Sequence, residues 1–106
     1  MAQEFVNSKI QPGKVVVFIK PTCPYCIRTQ ELLSQLPFKR GCLEFVDITA
    51  TSDTKKIQDY LGQLTGAKTV PRVFFGKDCI GGCNDLINMH ERGELLMRLQ
   101  QLGALQ

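Results

Sequence analysis

Five consecutive apolar residues, Val15-Val16-Val17-Phe18-Ile19, stand out in a chain where apolar and polar positions otherwise mix. An unbroken β-branched and aromatic run predicts a strand covered on both faces, the situation of a central strand in an α/β sheet. It leads through Lys20-Pro21-Thr22-Cys23 into residues 24–36, where Cys26, Thr29, Leu33 and Leu36 share one helical stripe that Pro37 stops. Residues 43–48 predict a second strand, and 51–64 a helix with Ile57, Tyr60, Leu61 and Leu64 at i, i+3, i+4 and i+7. Strand, helix, strand in that order implies a parallel pair joined by a right-handed crossover. Residues 72–75 and 78–80 flank Gly76-Lys77, and glycine first in a two-residue link suits a type II′ hairpin. Three further helices are predicted: 4–11, closed by Pro12-Gly13; 83–90, after Gly81-Gly82; and a last one after Gly93 carrying Leu95, Leu96, Leu99 and Leu102.

With 106 residues and no Pro/Gly/Ser-rich stretch long enough for a linker, residues 1–106 are expected to form one domain. The 43% of apolar residues suffices for a modest core without cross-links. The first residues lack the apolar segment of a secretion signal, and no run approaches the roughly 18 apolar residues of a membrane span, so the expectation is a cytoplasmic protein with no membrane partner. Five cysteines cannot all pair internally, and a reducing compartment favours thiol chemistry over a disulfide framework. The formal charge of +3 comes without basic blocks or interleaved aromatics, which argues against nucleic acid. It suits a small anionic partner, or merely a solvated surface.

The chemistry concentrates at Cys23-Pro24-Tyr25-Cys26. A CxxC pair where a strand meets a helix reads as a redox site. With Cys23 as N-cap, Pro24 occupies the first helical position, where its missing N–H is no loss. The sulfur then faces the unpaired N–H groups of Tyr25 and Cys26 and the positive end of the helix dipole, which favour thiolate over thiol. Lys20 and Arg28 are expected to push the same way. Cys23 is therefore the expected attacking thiol and Cys26, on the core stripe, the resolving one. The competing explanations are plain packing or half of a zinc site, but 52 residues separate Cys26 from Cys79, far outside zinc-ribbon spacing. No metal is expected. Cys42, Cys79 and Cys83 are expected to pack or to oxidise incidentally, and His90 to lie at the surface.

Together with Thr69-Val70-Pro71 and Cys79-Ile80-Gly81-Gly82-Cys83-Asn84-Asp85, this run resembles the dithiol glutaredoxins, in particular their vertebrate cytosolic branch. The likeness extends over essentially the whole chain. It implies a thioredoxin fold, an α/β four-stranded mixed sheet flanked by about five helices. It also implies a monomer with no bound cofactor and with glutathione as reducing co-substrate. A cis bond before Pro71 is implied too, where the residues alone predict an ordinary trans proline; cis would leave Thr69 and Val70 free to pair with a peptide-like ligand. Implied glutathione contacts are Lys20, Tyr25, Gln58, Thr69, Val70, Pro71, Gly82, Cys83, Asn84 and Asp85. Lys20 and Gln58 would hold the glycine carboxylate, and the start of the 83–90 helix with Asp85 the zwitterionic γ-glutamyl end. By itself Asp85 reads equally as a carboxylate that serves only the helix dipole.

The implied activity is reduction of protein–glutathione mixed disulfides by Cys23 alone, and of protein disulfides by Cys23 with Cys26. Two rivals differ in class: a thioredoxin, against which stand the Pro-Tyr insert and the lack of tryptophan before Cys23, and a module in which Cys23 and glutathione ligate an iron–sulfur cluster between two subunits. The chain departs from the family pattern at Ile27, expected to be exposed where a basic residue is usual, and at Lys55-Lys56, where acidic or polar residues are.

Overall fold

The computed structural model describes residues 2–106. Its elements are α1 (Ala2–Lys9), β1 (Val15–Ile19), α2 (Pro24–Ser34), β2 (Leu43–Asp47), a 3₁₀ turn (Ile48–Ala50), α3 (Thr54–Thr65), β3 (Arg72–Phe75), β4 (Asp78–Gly81), α4 (Cys83–Glu91) and α5 (Leu95–Leu102). The sheet order is β2-β1-β3-β4. β1 pairs with β2 in parallel, while the β1–β3 and β3–β4 pairs are antiparallel.

β1 is buried along its whole length and divides its side chains between two cores, as its period of two requires. Val15, Val17 and Ile19 face Cys26 and Leu33 of α2, Leu86 of α4, and Leu95 and Leu99 of α5. Val16 and Phe18 face Val6 of α1 and Ile57 and Leu61 of α3, with Phe74 edge-on to Phe18 at 5.8 Å between ring centroids. Helices thus cover both sheet faces, and the α/β four-stranded mixed sheet with five helices has the expected architecture.

Several boundaries differ from expectation. α1 spans Ala2–Lys9 rather than 4–11: Ile10 still donates to Val6 O, but Gln11 precedes Pro12, whose ring disfavours a helical residue before it. α2 stops at Ser34 for the same reason at Pro37, and the N–H of Leu36 turns back to Leu33 O in 3₁₀ fashion. β2 ends one residue early because the Asp47 carboxylate accepts from Thr49 N and opens the 3₁₀ turn. α3 starts at Thr54 rather than at residue 51, since the Thr51 hydroxyl accepts from Asp53 N and the Thr54 hydroxyl donates to Ile48 O, closing a turn first. Leu64 was expected on the buried stripe of α3 and is 46% exposed; at the helix end it lines an open hollow with Asn7, Ile10 and Lys77. In α5, Leu96 is also exposed.

The hairpin forms over Gly76-Lys77, with Gly76 at φ 62° and no positive φ at any described non-glycine residue, as a type II′ turn needs. Val73 pairs with Gly81 but Phe74 with Cys79, so Ile80 is an extra residue on β4. That bulge, with Gly81 at φ 117°, turns the chain abruptly into α4.

Candidate active site

β1 ends against the start of α2, which puts Cys23 at the tip of the central strand with N-cap geometry, φ −88° and ψ 118°. The Cys26 N–H donates to Cys23 Sγ at 3.3 Å, and the sulfur lies 3.8 Å from Val70 O. Partial burial works against the thiolate. Hydrogen bonding from the Cys26 side chain, from the backbone N–H groups of Cys26 and Tyr25, and the charge of Lys20 outweigh it, leaving Cys23 below the ordinary thiol value. Arg28 is not among the leading causes; its guanidinium sits over the Tyr25 ring, 5.9 Å from the centroid.

Cys26 is fully buried and held the other way. Desolvation drives its thiol up to about 12, helped by the hydrogen bond it gives Cys23, by the charge on Cys23 and by the proximity of Cys83, and opposed by the Lys20 backbone N–H, 3.5 Å from its sulfur. All five cysteines are free thiols. Cys83 is buried at the first position of α4, and Cys42 and Cys79 are half-buried, in keeping with packing roles. His90 and Ile27 are exposed, as expected. Among the described residues no three His, Cys, Asp or Glu side chains gather as metal ligands.

Beside Cys23 lies a groove of about 310 Å³ between the segment before β3 and the start of α4. The peptide bond Val70–Pro71 is cis, so the trans expectation drawn from the residues alone is corrected and the family pattern holds. Thr69 and Val70 stand outside β3, which begins at Arg72. The groove wall brings together Tyr25, Thr69, Val70, Pro71, Gly82, Cys83, Asn84 and Asp85, all expected contacts. Lys20 and Gln58 do not line it. Gln58 instead donates to Lys68 O at 3.3 Å, and Lys68 pairs with Asp59 at 3.1 Å, so α3 anchors the segment that leads to Thr69.

Asp85 reaches back from the third position of α4 to the N–H of the N-cap, Gly82, at 2.9 Å. The helix-serving role is therefore real, and the carboxylate still stands at the groove wall, exposed. One wall residue escaped sequence reasoning. Arg72 opens β3, and its Nε donates to Pro71 O at 3.1 Å. Its place directly after Thr69-Val70-Pro71 was the available signal.

Comparisons with known proteins agree with this geometry. The Glutaredoxin family model matches residues 15–80. The chain is 83% identical over 105 residues to Glutaredoxin-1 of Sus scrofa, covering 99% of each, and 77% identical over 106 residues to Glutaredoxin-1 of Homo sapiens, covering all of both. Among solved structures, the buckwheat glutaredoxin–glutathione complex superposes with a TM-score of 0.90 at 35% identity, covering 100% of this chain and 94% of that one. The holo form of glutaredoxin C1 from Populus tremula x tremuloides gives 0.84 at 37% identity, covering 95% and 97%. A polarised CxxC pair at a helix start, a cis-proline wall and likeness along the full length converge on one assignment: the chain belongs to the glutaredoxin family.

Proposed function

We propose that the chain is a glutathione-dependent thiol–disulfide oxidoreductase in which Cys23 is the nucleophile and the groove beside it holds glutathione. The observation that carries this is the Cys23 sulfur, stabilised as thiolate at the N-cap and set 3.8 Å from Val70 O at the groove edge. An extended peptide lying along Thr69 and Val70 would present its cysteine sulfur there. The ammonium of the γ-glutamyl end meets Asp85, and its carboxylate the first N–H groups of α4 at Cys83 and Asn84, with Gly82 allowing close approach. Tyr25 and Pro71 flank the middle of the tripeptide, and Lys20 and Gln58 take the glycine carboxylate.

In the monothiol cycle the Cys23 thiolate attacks the glutathione sulfur of a protein–glutathione mixed disulfide. The Cys23–glutathione bond forms, the protein–glutathione bond breaks, and the protein sulfur leaves with the electron pair and takes a proton from solvent. A glutathione thiolate then attacks the same glutathione sulfur, releasing oxidised glutathione and restoring Cys23. On a protein disulfide, Cys23 forms a mixed disulfide with the protein, Cys26 displaces the protein thiol to give the Cys23–Cys26 bridge, and two glutathiones reduce it.

Glutathionylated and disulfide-containing proteins are thus the substrates. Both thiols and the whole groove come from one sheet and its helices, which supports a monomer built as a single domain over residues 1–106. No helix among the described residues is long and apolar enough to cross a membrane, and five free thiols suit a reducing cytoplasm.

The test is glutathione-dependent reduction of a small mixed disulfide by Cys23→Ser and Cys26→Ser. Activity is lost in the first and substantially kept in the second, which fails only on protein disulfides. Full activity in Cys23→Ser, or a parent indifferent to glutathione, would overturn the assignment.

A further inference from the structure

We propose that Arg72 is a specificity-determining residue of the groove, supplying the positive charge that receives the α-carboxylate of the γ-glutamyl group; this rests on the glutathione function above. Among the described residues lining the groove, Arg72 is the single cationic side chain and Asp85 the single anionic one. An amino acid head group needs one of each. Both stand against Gly82, the N-cap of α4: the guanidinium beside the place a Cβ would take, the carboxylate on its N–H.

The guanidinium is held in place. Arg72 is half-buried, and its Nε is engaged by Pro71 O at 3.1 Å, which fixes the fork against the cis-proline wall. Its charge has no partner: the described residues form no salt bridge to Arg72. The one carboxylate in the groove is occupied with the Gly82 N–H. A half-buried arginine hooked by a single carbonyl keeps donors for a ligand, and a planar fork matches a carboxylate.

Gly82 gives independent support. Its φ of −114° is open to any residue, so the backbone does not demand glycine. A Cβ there would stand 2.7 Å from Arg72 Nη2, which would have to swing aside, and 3.3 Å from Pro71 O, so the missing side chain is what lets the guanidinium rest against the N-cap of α4. There it adds to the N–H groups that already favour an anion.

The experiment compares two mixed disulfides of one peptide thiol, one with glutathione and one with glutathione amidated at the γ-glutamyl α-carboxylate, in steady-state kinetics at a fixed excess of glutathione. The parent prefers the acid through KM. Arg72→Gln, which can still donate to Pro71 O, raises KM for the acid roughly five- to tenfold and leaves the amide nearly unchanged, so the two substrates converge. Arg72→Lys restores most of the preference, and Gly82→Ala, which displaces the guanidinium, weakens it. Parent-like discrimination in Arg72→Gln would overturn the proposal, as would equal losses on both substrates, the mark of a strut that only shapes the wall. A parent that handles a cysteamine mixed disulfide as well as the glutathione one would instead remove the glutathione function, and this assignment with it.

Discussion

The proposed glutathione groove gives Asp85 a second role beside capping α4, and one pair of substitutions separates the two. Its carboxylate accepts from the Gly82 N–H at 2.9 Å and sits in the first turn of α4, where the helix dipole favours negative charge. Asp85→Ala removes both effects. Losing a capping hydrogen bond costs about 0.5–2 kcal/mol, and exposure of the side chain places this one near the middle, at about 1 kcal/mol. For a domain of this size that lowers Tm by about 4–8 °C. Asp85→Asn keeps an oxygen at the Gly82 N–H and loses only the dipole contribution, at the low end of about 0.3–1 kcal/mol on an exposed side chain. Its Tm falls by a smaller amount, about 2 °C. Both substitutions delete the counter-charge for the ammonium of the γ-glutamyl end, so both raise KM for a glutathione mixed disulfide to a similar degree while their melting curves differ. Thermal unfolding by circular dichroism without glutathione, run beside steady-state kinetics, gives the two readouts. Normal KM in Asp85→Asn would show that the carboxylate serves the helix alone; equal Tm losses in the two variants would refute the hydrogen-bond account.

Alkylation of Cys23 by iodoacetamide should follow its thiolate, so the rate falls as pH drops through a value below the ordinary thiol range, where the depressed pKa lies. Lys20→Gln removes one of the causes of that depression, and the profile shifts toward alkaline pH; an unshifted profile would exclude Lys20 as a contributor. Gly81→Ala should destabilise by about 1–3 kcal/mol, since φ 117° is strained for any residue with a Cβ and that Cβ would collide with the Asp85 carboxylate. Chemical denaturation measures this, and a loss within 0.5 kcal/mol, about the range of an ordinary surface change, would contradict it.

Where local pattern and tertiary packing agree, the sequence was sufficient. Val15–Ile19 has no helical period and no polar face, so a doubly covered central strand was its one consistent placement. Proline gave the helix ends only to within two residues, because the restriction falls on the residue before Pro12 and before Pro37. The start of α3 was hidden because Thr51 and Thr54 use their hydroxyls to close a turn, a competition invisible to hydrophobic periodicity. Leu64 kept the right angular phase but lies at the helix end, and phase carries no information about where the neighbouring helix stops. At the site, Cys23 and Cys26 were legible from chain-local chemistry. The cis-proline wall and the start of α4 were legible only as a family pattern, because the sheet brings them together across residues far apart in sequence. The seat of Arg28 over the Tyr25 ring was not legible, since distance along a helix does not say that a ring will capture a guanidinium. Arg72 was missed because its position against Gly82 depends on the Ile80 bulge, which sequence gave no means to place.

The two active thiols occupy one helix turn yet meet opposite electrostatics, and this asymmetry decides the order of events. Cys23 at the N-cap collects donors while keeping part of its surface open; Cys26, three residues on, rotates into the core and loses its solvation. Each group enforces the other's state: the Cys26 side chain donates to Cys23, and the charge on Cys23 holds the Cys26 proton in place. Attack by Cys23 ends that arrangement. Once its sulfur is bonded to glutathione or to a protein, the thiolate charge is gone, together with the hydrogen bond that kept Cys26 protonated. Burial and the influence of Cys83 remain, so Cys26 becomes easier to ionise without becoming a free nucleophile. A second glutathione, arriving from solvent with an unburied thiol, therefore competes on good terms with the internal thiol for a Cys23–glutathione bond. A bulky protein partner obstructs that arrival and leaves the resolving step to Cys26. The choice between one-thiol and two-thiol chemistry is in this way set by access to a sulfur whose partner is released only after the first bond has formed.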